Sequence, residues 1–111
     1  MAPRQYGAPS VRQLAAVVDR MAGGVSQERL RQLRMVVGMW DRALGSGGMP
    51  VAASREAQRM FTRPALVRFW DLAVAGELRH FDRDRGKPLP DATLRIVRDC
   101  LGILALSLIH I

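Results

Sequence analysis

Apolar residues recur along most of the chain at three- and four-residue intervals, the period of helices with one buried face. Val11, Leu14, Ala15, Val18 and Met21 form the first stripe. Ser10 and Gln13 open it in a capping-box pattern, and Gly23-Gly24 closes it with residues that take a left-handed cap cheaply. Residues 1–9 hold two prolines and a glycine and read as a loose leader. The clearest period is Leu30, Leu33, Val37, Trp40 and Leu44, with Ser26 as N-cap, Glu28 suited to the dipole of the first turn and Gly45 as the end. Residues 46–53 read as a loop and residues 54–61 as a short helical piece. Thr62 then caps a third long helix that tolerates Pro64 in its first turn and buries Leu66, Phe69, Trp70, Ala73 and Val74 before fading near residues 76–79. The polar, proline-containing stretch 80–90 is a loop. Asp91 caps a last helix with Leu94, Val97, Leu101 and Leu104 inward. Nothing alternates with period two over strand length, so the pattern predicts an all-α bundle of four main helices.

Length and chemistry narrow the function. A chain of 111 residues makes one domain, too small for separate substrate and cofactor domains. Its single cysteine rules out a disulfide framework and a CxxC metal site, and Cys100 reads as a small core hydrophobe beside the last stripe. No apolar run approaches the roughly 18 residues of a membrane span. The N-terminus lacks a signal-peptide core, so the expected location is cytoplasmic. His80 lies near Asp82 and Asp84, but that spacing matches no established ligand geometry, and Glu77 with His80 at i,i+3 is equally a surface hydrogen bond. Trp40, Phe69 and Trp70 sit on apolar stripes, which favours core packing over base stacking. No catalytic residue, metal or cofactor is therefore expected.

Charge points outward. The formal net charge is +7, and of 17 basic residues only Lys87 is lysine. Arginine suits bidentate contacts to phosphate and guanine. G/C-rich codon usage is another account of the Arg/Lys ratio, but it leaves the excess positive charge unexplained. That excess fits an acidic partner such as nucleic acid. Lys87 with Arg83 and Arg85 forms a basic loop that fits either phosphate contact or plain solvation.

Two segments share a pattern. Residues 30–40 and 94–104 both run apolar-Arg-x-apolar-Arg-x-x-apolar-Gly-apolar-apolar. At about 100° per residue, the two arginines and the glycine of each segment lie within about 40–100° of the leading Leu, while the apolar stripe centres near 310°. Each helix would thus present Arg31 and Arg34, or Arg95 and Arg98, beside a glycine that lets a phosphate approach the backbone. Arg42 extends the first strip. The alternative is an ordinary solvated face.

The order of these parts resembles the N-terminal core-binding domain of tyrosine recombinases, the phage-type integrase class. The likeness rests on the leading helix 11–21, on SQERLRQLRMVVGMW at 26–40 and on PDATLRIVRDCLGIL at 90–104, and covers about residues 10–105. It rests on spacing and hydrophobicity more than on signature residues. One departure is that the family often has Tyr in the second helix, where this chain has Leu33 or Met35. The resemblance implies a four-helix SAM-like fold that clamps double-stranded DNA through its second and fourth helices. By position it implies DNA contacts at Arg31, Arg34, Arg42, Arg95 and Arg98. The family's catalytic Arg, His-x-x-Arg and Tyr belong to a later domain and have no place here, so this chain would bind DNA without cutting it. Recombinase protomers would meet only in the intact protein on DNA. The other functional class open to such a chain is a small helical protein–protein interaction or regulatory module.

The last six residues, Leu106 to Ile111, back-translate to the transposase end sequence of sequencing-library adapters. They are read as an artefact on a core-binding domain of residues 10–105, the alternative being a genuine apolar helix end, since residues 101–111 are mostly apolar, and His110 is not proposed as a ligand.

Overall fold

The computed structural model describes residues 6–109. Five α-helices account for the architecture: α1 (Pro9–Met21), α2 (Gln27–Gly45), the short α3 (Ala52–Arg55), α4 (Arg63–Val74) and α5 (Asp91–Ile109). Two 3-10 turns join them, Ala57–Phe61 before α4 and Asp82–Asp84 before α5, and there is no strand among the described residues. α1 and α5 pack on α2, and the 57–61 turn fills the junction of α1, α3, α4 and α5. The dimensions are 34 × 30 × 30 Å, so one core serves every helix.

The α2 stripe is the centre of that core. Leu33, Val37 and Trp40 are fully buried, joined by Val36, Met39 and Ala43, while Leu30 and Leu44 pack at the edge. The Trp40 ring lies 4.3 Å from Phe69 of α4 and 5.8 Å from Phe61. Burial of such side chains contributes about 1.5–3 kcal/mol each. Trp40 Nε1 gains no hydrogen-bond partner in this apolar setting.

The helix ends depart from the sequence expectation in four places, one of them at α5, where Asp91 is the first helical residue and not the cap. α1 starts at Pro9 with Ala8 as N-cap, not at Ser10. Proline has no N–H and a preset φ, so it takes the first turn. Ser10 is then inside the helix, fully buried, and its hydroxyl has no partner. Gln13 does not complete a capping box; its Oε1 accepts a hydrogen bond from the Ala57 N–H at 2.9 Å. Gly23 and Gly24 do not adopt the left-handed cap, since the glycines with positive φ are Gly47, Gly48, Gly76 and Gly86. The chain leaves α1 instead through tight turns, with the Gly24 N–H donating to the Met21 carbonyl at 2.8 Å. Finally, Thr62 precedes α4 but makes no side-chain cap; its hydroxyl donates back to the Arg59 carbonyl at 3.1 Å. Ser26 does cap α2, accepting from the Arg29 N–H at 3.0 Å.

The face of α4 is turned by roughly a quarter of a rotation from the expected stripe. Ala65, Phe69, Leu72 and Ala73 are buried, Leu66 and Trp70 are half-buried, and Val74 is exposed. α4 leans on both α2 and the 57–61 turn, so two sides of it are covered. In α5 the buried line is Val97, Cys100, Leu104 and Leu108, with Leu94 and Leu101 half-buried. Residues 106–109 continue that helix, and Leu108 enters the core while Leu106 and Ile109 face outward. His110 and Ile111 lie outside the described residues, as do residues 1–5 of the expected leader.

The stretch after α4 is a closed loop. Gly76 has φ +79°, and the Gly76 and Glu77 N–H groups donate to the Ala73 and Leu72 carbonyls at 3.1 and 3.0 Å. This is a Schellman helix end, which needs the left-handed residue that glycine supplies. The Gly86 N–H returns to the Gly76 carbonyl at 3.2 Å. Arg79 donates to the Lys87 and Pro88 carbonyls at 2.9 and 3.0 Å, and Leu78 is buried beneath.

Candidate nucleic-acid interface

The five arginines singled out by sequence fall into three settings. Arg31 and Arg34 lie on the exposed face of α2. Arg31 forms an i,i+3 pair with Glu28 at 2.6 Å, and Arg34 reaches Asp19 of α1 at 3.6 Å. All four side chains are more than half exposed, so these pairs are weak and exchange readily for another anion.

Arg95 and Arg98 stand on the exposed face of α5. Neither makes an ion pair or hydrogen bond with a described residue. They line a shallow recess with Leu94, Asp91 and the half-buried Trp70 of α4. Sequence favoured a core role for Trp70; the structure leaves part of its ring in this recess beside two guanidinium groups. The signal in the sequence was its place at the edge of the α4 stripe, next to fully buried Phe69.

Arg42 is different. Its Nε donates to the Leu78 carbonyl at 2.7 Å, so it straps α2 to the loop after α4. Its guanidinium also lies over Gly38, where an added Cβ would meet Nη1 at 3.4 Å. Gly38 is therefore buried, and the expected open approach to the α2 backbone is absent. Gly102, its counterpart on α5, is exposed with nothing within 4 Å of an added Cβ. Among the described residues no hydrogen bond or ion pair joins Arg31 or Arg34 to Arg95 or Arg98. Arg34 is tied toward α1, whereas Arg95 and Arg98 neighbour α4.

Arg68 of α4, which the sequence did not single out, and Arg85, expected only as part of a basic loop, line one recess with Arg42. A separate apolar groove of about 440 Å³ runs between α2 and the loop, lined by Met35, Met39, Phe81, Leu89 and Pro90. Phe81 is held by an edge contact with His80 at 4.7 Å and by Arg83 over its ring at 4.7 Å.

The two aspartates of the 82–84 turn are engaged locally. Asp82 pairs with Arg85 at 3.2 Å and Asp84 with Lys87 at 3.4 Å. Among the described residues no group of three His, Cys, Asp or Glu side chains is placed to hold a metal, and no helix is long and apolar enough to cross a membrane. Cys100 is fully buried, with Arg29 Nη1 at 3.8 Å from its Sγ. Burial pushes the thiol above its ordinary range, and the Arg29 contact only partly opposes that.

No family model matches the chain, and no curated protein or solved structure matches it either.

Proposed function

We propose that this domain binds duplex DNA, with Arg31 and Arg34 of α2 and Arg95 and Arg98 of α5 as phosphate and base contacts, in the manner of the core-binding domain of a tyrosine recombinase. The observation that carries this reading is the state of Arg95 and Arg98: two exposed guanidinium groups with no partner among the described residues, beside Trp70 and an open glycine, on a chain of net charge +7. Such groups gain by displacing counterions from a phosphate backbone. Trp70 adds a flat surface for a sugar or base. The SAM-like arrangement belongs to this proposal; five helices with a closed loop are compatible with it. Arg42 enters as the strap that fixes α2, and its replacement is expected to act through the fold.

The test is affinity for a short duplex between about 50 and 200 mM salt. Replacing Arg31, Arg34, Arg95 and Arg98 with Gln should flatten the dependence of log K on log salt by up to about 3.6, at about 0.9 per phosphate contact. Unchanged affinity and slope in a folded variant would refute the assignment.

A second reading rests on the groove at Met35, Met39 and Phe81. Flexible methionines beside an exposed aromatic ring suit an apolar protein partner. In that case the wild-type domain shows no salt-dependent affinity for the duplex.

A further inference from the structure

The recess at the C-terminal end of α2 holds three guanidinium groups from three elements: Arg42 of α2, Arg68 of α4 and Arg85 of the closed loop. It measures about 580 Å³, with Ser46 and Leu72 in its wall and Glu77 as the one carboxylate lining it. Each arginine is anchored by a neutral backbone carbonyl. Arg42 Nε donates to Leu78 at 2.7 Å, Arg68 Nε and Nη2 to Gly47 at 3.4 and 3.3 Å, and Arg85 Nε to Arg79 at 3.3 Å. Arg85 also pairs with Asp82 at 3.2 Å, but that carboxylate is 92% exposed and compensates little. Carbonyl anchors fix the position of the Arg68 and Arg85 guanidinium groups without neutralising their charge. Arg68 Nη1 and Arg85 Nη2 are free of hydrogen bonds to described residues.

Local backbone geometry holds the group together. Gly48, with φ +80°, passes so close to Arg68 that an added Cβ would lie 2.9 Å from its Nε. The Gly76–Gly86 closure brings Arg85 back toward Glu77, whose Oε1 is 4.0 Å from a Cβ placed on Gly86. Glu77 is the carboxylate in the lining and is exposed. A compact anion with several acceptor oxygens suits the remaining Arg68 and Arg85 donors, because forked N–H donors match its geometry. We propose that this recess binds a phosphate group, taken as a phosphodiester of a nucleic-acid backbone, at a site separate from Arg31, Arg34, Arg95 and Arg98.

The experiment follows the arginine Nε–H signals of the whole chain by NMR during two titrations, one with a short duplex and one with inorganic phosphate at constant ionic strength. The Arg68 and Arg85 signals should move and saturate in both. Movement with inorganic phosphate alone retains the phosphate site and assigns it to a free phosphate or phosphorylated small molecule. Silence in both titrations overturns the proposal, even if Arg95 and Arg98 respond to the duplex. Conversely, a response from Arg68 and Arg85 with Arg95 and Arg98 silent keeps the recess and refutes the helix-face reading. Replacing Arg68 and Arg85 together with Gln should lower the salt slope for the duplex by about 0.9, the loss of one phosphate contact. Should that variant unfold, Glu77→Gln serves instead, since Glu77 is exposed and makes no hydrogen bond through its side chain. Removing its charge takes a like charge from the wall of the recess and should tighten phosphate binding by up to about fivefold. Unchanged affinity in Glu77→Gln would also count against the site.

Discussion

Gly76→Ala is the most demanding test of the architecture, because it acts on one atom. An added Cβ would overlap the Lys87 carbonyl oxygen and lie 2.6 Å from its carbon and 3.0 Å from its nitrogen. All three are backbone atoms, so no side chain can swing away. The left-handed φ of +79° adds about 1–2 kcal/mol for any residue with a Cβ. Relief of the overlap must displace Lys87 and with it three hydrogen bonds: Gly86 to Gly76, and Arg79 to the carbonyls of Lys87 and Pro88. At about 1 kcal/mol each these contribute about 3 kcal/mol. The expected loss is thus about 4–5 kcal/mol, a large share of a stability of about 5–15 kcal/mol. Urea denaturation followed by tryptophan fluorescence reads it directly, since buried Trp40 reports the core. Detachment of the loop would also release Arg85 from the phosphate recess, so binding there should fall with stability. A midpoint within error of wild type would show that the loop is not closed on Gly76, and the recess argument would lose its third arginine.

Three other outcomes follow from single atoms or groups. Ser10→Ala should stabilise by about 1 kcal/mol, because it removes a buried hydroxyl without a partner; a helix-capping Ser10 would give a loss of similar size, so the sign of the change in urea midpoint decides. Gly38→Ala and Gly102→Ala should each stabilise by up to about 1 kcal/mol through helix propensity, yet only Gly102→Ala should weaken duplex binding, since Gly38 already lies under Arg42. Equal duplex affinity for both variants would remove the close approach at α5. Cys100 stays protonated in the folded state to higher pH than in the unfolded chain. Above about pH 8.5 the unfolded state therefore binds fewer protons, and stability attributable to this thiol should fall as pH rises, an effect that Cys100→Ala abolishes in denaturation curves at pH 8 and 10.

What the sequence made legible is what local periodicity encodes. Leu33, Val37 and Trp40 are core residues because their spacing leaves them no other face, and Ser26 caps because its hydroxyl needs only the N–H three residues on. Ser10 misled because the neighbouring Pro9 claims the helix start, a competition between two valid local signals. The α4 stripe was misplaced because a helix covered on two sides has no single outer face. The closed loop was illegible for a different reason. Its stability comes from main-chain carbonyls eight to ten residues away, and the composition of residues 80–90 carries no mark of that geometry. Arg85 was read only as part of a basic loop on the same account, since the closure brings it to Arg42, and Arg68 was passed over because its place depends on the Gly47 carbonyl 21 residues back.

The repeated Arg-Arg-Gly pattern shows how far such a reading extends. Both copies predict a glycine on a basic face, and they diverge at the residue four positions after it. On α2 that residue is Arg42, long enough to fold back over Gly38 while bonding Leu78. On α5 it is Leu106, which stays exposed and leaves Gly102 open. An i,i+4 neighbour shares the same helix face, so its length and charge decide whether the glycine is a contact point or a floor for another side chain. The α2 copy thereby becomes part of the fold, through a strap, and the α5 copy remains available to a ligand. Exchanging the two residues, as Arg42→Leu with Leu106→Arg, should loosen the loop after α4 and close the α5 surface. If duplex affinity instead survived the exchange with Gly102 covered, backbone approach at α5 would have no part in binding, and the long reach of Arg95 and Arg98 alone would have to account for it.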